Sequence, residues 1–206
     1  MTSREQGKRF ILILGGVRSG KSDLAQKLAH SLGEKRVLFL ATATAGDDEM
    51  RRRIAAHQAG RPAGWRTLEE PLHLADALAA HLGTAKVVVL DCVTLWVSNI
   101  LGATSPDGGE TPDQEAAAAL MLDELGALHD WHRGSDASLI VVSNEVGMGL
   151  VPPYPSGRAY RDLLGTANQF LATRAGEVLL TIAGIPVDLK KLAINPWRQE
   201  PGDSFV

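Results

Sequence analysis

One eight-residue segment constrains the fold of this chain more than any other. Its sequence, Gly15-Gly-Val-Arg-Ser-Gly-Lys-Ser22, fits the pattern G-x-x-x-x-G-K-[ST] of a phosphate-binding loop. An apolar run ends just before it at Leu14, and an amphipathic helical pattern begins near Lys21. Glycines let successive backbone N–H groups curve around an anion, and the positive end of the helix dipole faces the same point. The sequence therefore predicts a P-loop between a strand and a helix.

The residues of this loop have predicted roles. Lys21 would contact the β- and γ-phosphates of a nucleotide, and the Ser22 hydroxyl would bind Mg²⁺. The alternative is a glycine-rich turn that binds nothing. The nucleotide-binding residues predicted from the loop are Gly15, Gly16, Val17, Arg18, Ser19, Gly20, Lys21 and Ser22.

Short apolar runs alternate with helical patterns along the chain, which indicates an α/β fold. Continuous apolar runs are typical of parallel strands with helices on both faces of the sheet. We expect strands at residues 10–14, 37–41, 87–91, 139–143 and 178–182, and helices at residues 21–32, 47–59, 72–82, 94–101, 112–132 and 157–174. Residues 184–189 predict an antiparallel edge strand paired with the strand before it. The expected fold is a mostly parallel central sheet with an antiparallel edge strand.

Composition limits the organisation and the partners. The chain has 206 residues with a net charge of −3, so we expect one nucleotide-binding domain over residues 1–194 and no general nucleic-acid binding. Residues 195–206 are expected to form an irregular tail, and residues 102–114 an exposed loop. Cys92 is the single cysteine, and no apolar run reaches the ~18 residues of a membrane span. These features favour a cytoplasmic protein.

Two acidic residues are candidate metal ligands. Asp91 closes the apolar run 87–91, which is the form of the second carboxylate site of P-loop proteins. Glu145 closes a second candidate strand, just before the glycine-rich segment Val146-Gly-Met-Gly149. The carboxyl ends of parallel strands meet at one edge, so both carboxylates should face the same crevice. The alternatives are a helix N-cap for Asp91 and a structural cap or ion pair for Glu145.

His57 lies on the predicted helix 47–59. Met50, Ile54 and His57 fall on one helical face, so the histidine is expected on the inward, apolar side. From spacing alone, such a histidine is most often a core residue.

Several segments together resemble the bifunctional adenosylcobinamide kinase / adenosylcobinamide-phosphate guanylyltransferase family of cobalamin synthesis. The segments occur in the family's order over roughly residues 10 to 190. They are Gly15–Ser22, Ala41-Thr42, Asp47-Asp-Glu-Met50, Arg53-Ile54, His57, Arg61-Pro62, Trp65-Arg-Thr67, Glu69-Glu-Pro71, Asp91-Cys-Val-Thr-Leu-Trp96 with Asn99, Ser143-Asn-Glu-Val-Gly-Met-Gly149, Arg161-Asp162 and Asn168-Gln169.

The resemblance implies two reactions, with ATP and GTP as substrates and Mg²⁺ as cofactor. A nucleoside triphosphate phosphorylates the aminopropanol hydroxyl of adenosylcobinamide, and GTP then transfers GMP to that phosphate through a covalent intermediate on His57. Neutral imidazole is a suitable nucleophile at neutral pH. The resemblance also implies a RecA-like P-loop fold and a homotrimer. It places in the nucleotide site the residues Thr42, Ala43, Thr44, Gln58, Ala59, Gly60, Arg61, Glu69 and Asp91.

The chain departs from the family pattern at residues 151–158, where Val-Pro-Pro-Tyr-Pro-Ser-Gly-Arg replaces the usual V-P-E-N-x-x-A-R. Two other functions remain open. One is a P-loop kinase of another small alcohol, in which His57 is structural. The other is a RecA-like nucleotide-dependent switch or assembly protein.

Overall fold

The computed structural model describes residues 7–43, 62, 64–105 and 112–194, which form seven strands and six helices. The strands are β1 Phe10–Leu14, β2 Val37–Ala41, β3 Arg66–Glu69, β4 Val87–Asp91, β5 Ser138–Val142, β6 Glu177–Ile182 and β7 Ile185–Asp188. They form one sheet in the order β3-β2-β4-β5-β1-β6-β7. Every neighbouring pair is parallel except β6 and β7, which confirms the mostly parallel sheet with an antiparallel edge.

Helices cover both faces of the sheet, as the continuous apolar strands predicted. They are α1 Lys21–Gly33, α2 Leu74–His81, α3 Val93–Thr104, α4 Gln114–Gly134, α5 Pro155–Arg174 and α6 Leu189–Leu192. On one face Ala25 and Ala29 of α1 pack against β1, β2, β4 and β5. The other face packs against α2 to α5. None of the helices in the described ranges is long and apolar enough to cross a bilayer.

Small residues let α1 lie close to the sheet. Ala25 and Ala29 are buried on its inner side, and Gly33 ends the helix against β4. A Cβ at Gly33 would lie only 2.8 Å from the Val87 Cγ2 atom, so there is no space for a side chain. This packing fixes the helix that begins directly after the phosphate-binding loop.

Some expectations differ from the structure. Strand β3 was not predicted, and α3 continues through Thr104 into the segment expected to be a loop. Residues 189–192 form a short helix at the point where the last strand was expected to end. The predicted helix 47–59 and the predicted tail 195–206 lie outside the described residues.

The sheet order brings distant segments of the chain to one edge. Strands β1 to β5 are mutually parallel, so the residues that follow them all lie at the carboxyl edge of the sheet. The loop after β1 begins at Gly15, and Cys92 and Ser143 follow β4 and β5. Ligands of open α/β sheets bind at this edge.

Candidate active site

The predicted P-loop lies where the sequence placed it, between Leu14 of β1 and Lys21 of α1. Gly20 is the N-cap of α1 and has a φ of 93°, and Arg18 has a φ of 55°. The loop is joined to its neighbour by a hydrogen bond of 3.2 Å from the Glu145 N–H to the Gly15 carbonyl. This conformation places a helix N-terminus at the carboxyl edge of the sheet, which is a favourable site for an anion.

Lys21 is folded back into the loop. Its side chain is 8% exposed, and its ammonium donates a 2.6 Å hydrogen bond to the Gly16 carbonyl. Burial lowers the pKa of Lys21, while Cys92 and Asp91 act in the opposite direction. The Cys92 thiol is neutral near pH 7, because burial raises its pKa to about 11, so Asp91 is the charge that faces Lys21 at that pH.

Ser22 and Asp91 meet at the carboxyl edge of the sheet, as expected of a shared metal site. The Ser22 hydroxyl donates to Asp91 Oδ2 at 3.3 Å, although 69 residues separate them in the chain. Asp91 is the last residue of β4, and the N-cap of α3 is Cys92, so Asp91 does not cap that helix. Paired hydroxyl and carboxylate oxygens suit a hard cation such as Mg²⁺. The described ranges contain no cluster of three or more His, Cys, Asp or Glu residues able to hold a metal. A metal here would therefore need phosphate and water oxygens as further ligands.

Thr42 is fully buried beside these residues, and its polar groups are engaged within the protein. Its hydroxyl donates to the Cys92 carbonyl at 2.7 Å and accepts from the Cys92 N–H at 3.0 Å. Its N–H donates to the Asp91 carbonyl, and its own carbonyl accepts from the Asn99 amide at 2.8 Å. These bonds make Thr42 a support for the segment that carries Asp91.

Glu145 lies farther from its strand than the sequence suggested. Strand β5 ends at Val142, so Glu145 is in the following loop, and its Oε1 atom accepts a 2.6 Å hydrogen bond from the Gly147 N–H. The same loop is anchored by Asn168 of α5. The Asn168 amide donates to the Asn144 carbonyl at 3.0 Å and accepts from the Ser143 hydroxyl at 2.7 Å.

The remaining predicted site residues divide into two groups. Ala43 follows Thr42 at the carboxyl edge, and Glu69 is in register with Ala41 of β2, so Glu69 lies at the same edge. The other predicted nucleotide residues and the candidate nucleophile lie outside the described residues: Thr44, His57, Gln58, Ala59, Gly60 and Arg61.

Sequence reasoning missed a contact between the P-loop and the turn that joins β6 to β7. The Gly184 N–H donates to the Ser19 carbonyl at 2.9 Å, across 165 residues of chain. The antiparallel pairing of these two strands was expected, but the position of their turn beside the P-loop depends on the sheet order, in which β6 lies next to β1.

The fold and the site together define a P-loop nucleotide-binding protein of the α/β class. A family model described as cobinamide kinase / cobinamide phosphate guanyltransferase matches residues 11–189. The chain belongs to this family, whose members are transferases.

Curated relatives cover most of the chain. The bifunctional adenosylcobalamin biosynthesis protein CobP of Pseudomonas aeruginosa is 46% identical over 179 residues, covering 87% of this chain and 96% of the relative. The CobU proteins of Salmonella typhimurium and Escherichia coli are 42% and 40% identical, each over 88% of this chain and 99% of the relative. Among solved structures, an ATPase domain aligns with 84% of this chain and 69% of its own length, at 14% identity and a TM-score of 0.48. The family expected from the sequence motifs is confirmed by the curated relatives.

Proposed function

We propose that this chain phosphorylates adenosylcobinamide with ATP or GTP, then transfers GMP from GTP to the product, giving adenosylcobinamide-GDP and pyrophosphate. The observation that carries the proposal is a complete P-loop, with Lys21 folded into it and Ser22 beside Asp91, in a chain of this family. A kinase of another small alcohol and a nucleotide-dependent switch are the functions that the experiment below must separate from it.

In the first reaction the triphosphate occupies the P-loop. Its γ- and β-phosphate oxygens replace the Gly16 carbonyl as acceptors for the Lys21 ammonium, which supplies positive charge where negative charge develops. The hydroxyl oxygen of adenosylcobinamide attacks the γ-phosphorus, and its proton passes to solvent. The bond from that phosphorus to the bridging oxygen breaks, and a nucleoside diphosphate leaves.

We place Mg²⁺ at the hydroxyl of Ser22 and the carboxylate of Asp91, the two oxygen-bearing groups that meet in the structure. When bound, Mg²⁺ neutralises phosphate charge and helps to orient the triphosphate. Glu145 is proposed as a further acidic group for this metal, and its loop is joined to the P-loop through Gly15.

In the second reaction His57 is the proposed nucleophile. An imidazole nitrogen attacks the α-phosphorus of GTP and pyrophosphate leaves. A phosphate oxygen of adenosylcobinamide phosphate then attacks the same phosphorus. This attack forms the new pyrophosphate bond of adenosylcobinamide-GDP and breaks the bond to His57. We assign to this nucleotide site Thr42, Ala43, Thr44, Gln58, Ala59, Gly60, Arg61, Glu69 and Asp91. The bonds of Thr42 to Cys92 support a role in holding Asp91 in place.

We further propose that the enzyme is a cytoplasmic homotrimer, as the resemblance to the family implies. The single cysteine of the chain, Cys92, agrees with a reducing compartment. A solution mass by light scattering equal to three chains would support the trimer, and a mass of one chain would overturn it.

The reaction products test the proposed function. With adenosylcobinamide, GTP and Mg²⁺, the wild-type protein is expected to form adenosylcobinamide phosphate and then adenosylcobinamide-GDP, separated by liquid chromatography. Lys21→Met should lower kcat/KM for the phosphorylation by about a hundredfold or more, because a transition-state charge contact is lost. Lys27→Met is the matched control, since Lys27 is exposed on the same helix, and it should behave as wild type.

Other outcomes identify the other functions. Phosphorylation of the corrinoid or of another alcohol without any pyrophosphate release would indicate a simple kinase. Nucleotide hydrolysis that does not depend on an acceptor would indicate a switch protein. Either result contradicts the proposed pair of reactions.

A further inference from the structure

The turn between β6 and β7 packs directly against the phosphate-binding loop. Ala183 and Gly184 form it with φ values of 50° and 80°, as in the type I′ turns of tight hairpins. The Gly184 N–H donates a 2.9 Å hydrogen bond to the Ser19 carbonyl. Thr181, a residue of β6 beside the loop, is fully buried. The P-loop is therefore packed against a hairpin that comes from a distant part of the chain.

The hydrogen bond from Gly184 also fixes the direction of a neighbouring donor. The Ser19 carbonyl and the Gly20 N–H belong to the same peptide group, and in a trans peptide these two bonds point in opposite directions. Because the Ser19 carbonyl points toward the hairpin, the Gly20 N–H points away from the hairpin. Gly20 is the N-cap of α1, so its N–H belongs to the set of donors that a P-loop offers to phosphate.

The hairpin also accounts for two glycines of the P-loop motif. A Cβ at Gly15 would overlap the Thr181 carbonyl oxygen, and a Cβ at Gly20 would lie 3.1 Å from the Gly184 Cα atom. Gly20 additionally has a φ of 93°, a conformation that disfavours side chains. The hairpin thus leaves no space for a side chain at Gly15 and little space at Gly20, apart from any contact with phosphate.

We propose that the β6–β7 turn is a positioning element of the nucleotide site, with Gly184 as the residue that orients the Gly20 N–H through the Ser19 carbonyl. The inference rests on the proposed binding of a nucleoside triphosphate at the P-loop. Gly184 acts through the backbone of the loop and is a positioning residue, not a catalytic one.

Substitution of Gly184 tests the proposal because a Cβ there would contact none of the residues that the structure describes. Within the described ranges no atom lies within 4 Å of that Cβ, so there Gly184→Ala adds only the cost of the positive φ. We expect Gly184→Ala to weaken binding of a non-hydrolysable GTP analogue with Mg²⁺ by about fivefold to tenfold. Gly184→Asn should restore binding to within about twofold of wild type, because Asn adopts this conformation more readily than Ala.

Gly83→Ala is the matched control. Gly83 also has a positive φ, of 58°, and lies in the turn before β4 at the opposite edge of the sheet, where its Cβ would mainly meet the end of the Arg66 side chain. It should lower the unfolding temperature as Gly184→Ala does, with the dissociation constant unchanged. Equal dissociation constants for wild type, Gly184→Ala and Gly83→Ala would overturn the proposal.

A measurement on the wild-type chain keeps the proposal testable even if Gly184→Ala does not fold. Binding of the same analogue should slow hydrogen exchange of the Gly184 amide by about tenfold, because the bound phosphates stabilise the loop that accepts its hydrogen bond. The Gly83 amide should not change. Protection of the P-loop amides without protection at Gly184 would contradict the inference alone, whereas failure of the wild type to bind any triphosphate would contradict the proposed function itself.

Discussion

Thr42 shows how a buried residue of the site can support its neighbours through hydrogen bonds within the protein. Its hydroxyl both donates to and accepts from the backbone of Cys92, and these bonds hold the chain at the end of β4 where Asp91 lies. Thr42 is 0% exposed, so its hydroxyl is shielded from water and depends on these bonds within the protein. Removal of the hydroxyl would leave the N–H and the carbonyl of Cys92, which are partly buried, without this partner.

Thr42→Val is therefore expected to lower the free energy of unfolding by about 1–3 kcal/mol, the cost of unsatisfied buried polar groups. Urea unfolding measures this loss. Thr166→Val is the control, because the Thr166 hydroxyl bonds to the carbonyl of Asp162 on the exposed side of α5, and it should change stability by less than about 0.5 kcal/mol. Similar stabilities for the two variants would contradict a supporting role for Thr42.

At the residue scale, the sequence was most informative where a motif is local. Gly15 to Ser22 lie together in the chain, and their strand–loop–helix setting was predicted correctly. The bonds from Thr42 to Cys92 and from Gly184 to Ser19 join residues far apart in sequence, and their geometry depends on which strands are neighbours. The predicted role of His57 lies outside the described residues and stays a prediction.

At the scale of elements, the carboxyl-terminal end of α4 is held by a residue from the start of the chain. The Lys8 ammonium donates to the carbonyls of His132, Arg133 and Ser135, at 2.8, 3.0 and 2.8 Å. A cation at this position satisfies the last carbonyls of the helix and interacts favourably with its dipole. His132 is buried beside it, with its ring centroid 5.3 Å from that of Phe10.

This arrangement predicts a loss of stability in mild acid. Burial, and then the nearby Lys8 charge, lower the pKa of His132 from 6.5 to about 4. Below pH 6.5 the unfolded chain binds a proton at this residue more readily than the folded protein, so its contribution to stability falls between pH 6.5 and pH 4. Above that range the contribution is constant.

We expect the free energy of unfolding to fall by about 1–2 kcal/mol from His132 alone between about pH 7.5 and pH 5. Denaturant unfolding of wild type and His132→Phe at both pH values isolates the contribution of His132 to the free energy of unfolding, since the variant lacks the titrating group. The stability of wild type relative to His132→Phe should be lower at the acidic pH. An identical pH dependence in both would show that His132 does not titrate in this way.

The elements that the sequence predicted best are the buried strands. Strands β1, β2 and β4 have the predicted bounds, because an apolar run of five residues between polar segments leaves little choice. Strand β3, Arg66–Glu69, was missed because it is short, lies at the edge of the sheet and is mostly exposed, so it has no apolar run. Helix α3 extends past its predicted end, and the Thr104 hydroxyl bonds back to the Ile100 carbonyl in this last turn.

At the scale of the whole molecule, the sheet order explains how the parts of one nucleotide site come together. The P-loop follows β1, which lies between β5 and β6, and Asp91 ends β4 on the other side of β5. The sequence predicted a parallel sheet but not this order, which sets the neighbours of the loop. Only one P-loop motif occurs among the 206 residues. In our proposal both reactions therefore share this site, with γ-phosphate chemistry at Lys21 and α-phosphate chemistry at His57.

Covalent labelling by GTP tests this claim most directly. The protein is incubated with Mg²⁺ and GTP labelled in either the α- or the γ-phosphate, and protein-bound label that is stable to alkali and labile to acid is measured. We predict label from the α-phosphate only, its absence in His57→Ala, and its retention in His81→Ala, which removes an exposed histidine at the end of α2. Wild-type protein that never acquires α-label, or His57→Ala protein that acquires it as wild type does, would contradict the account.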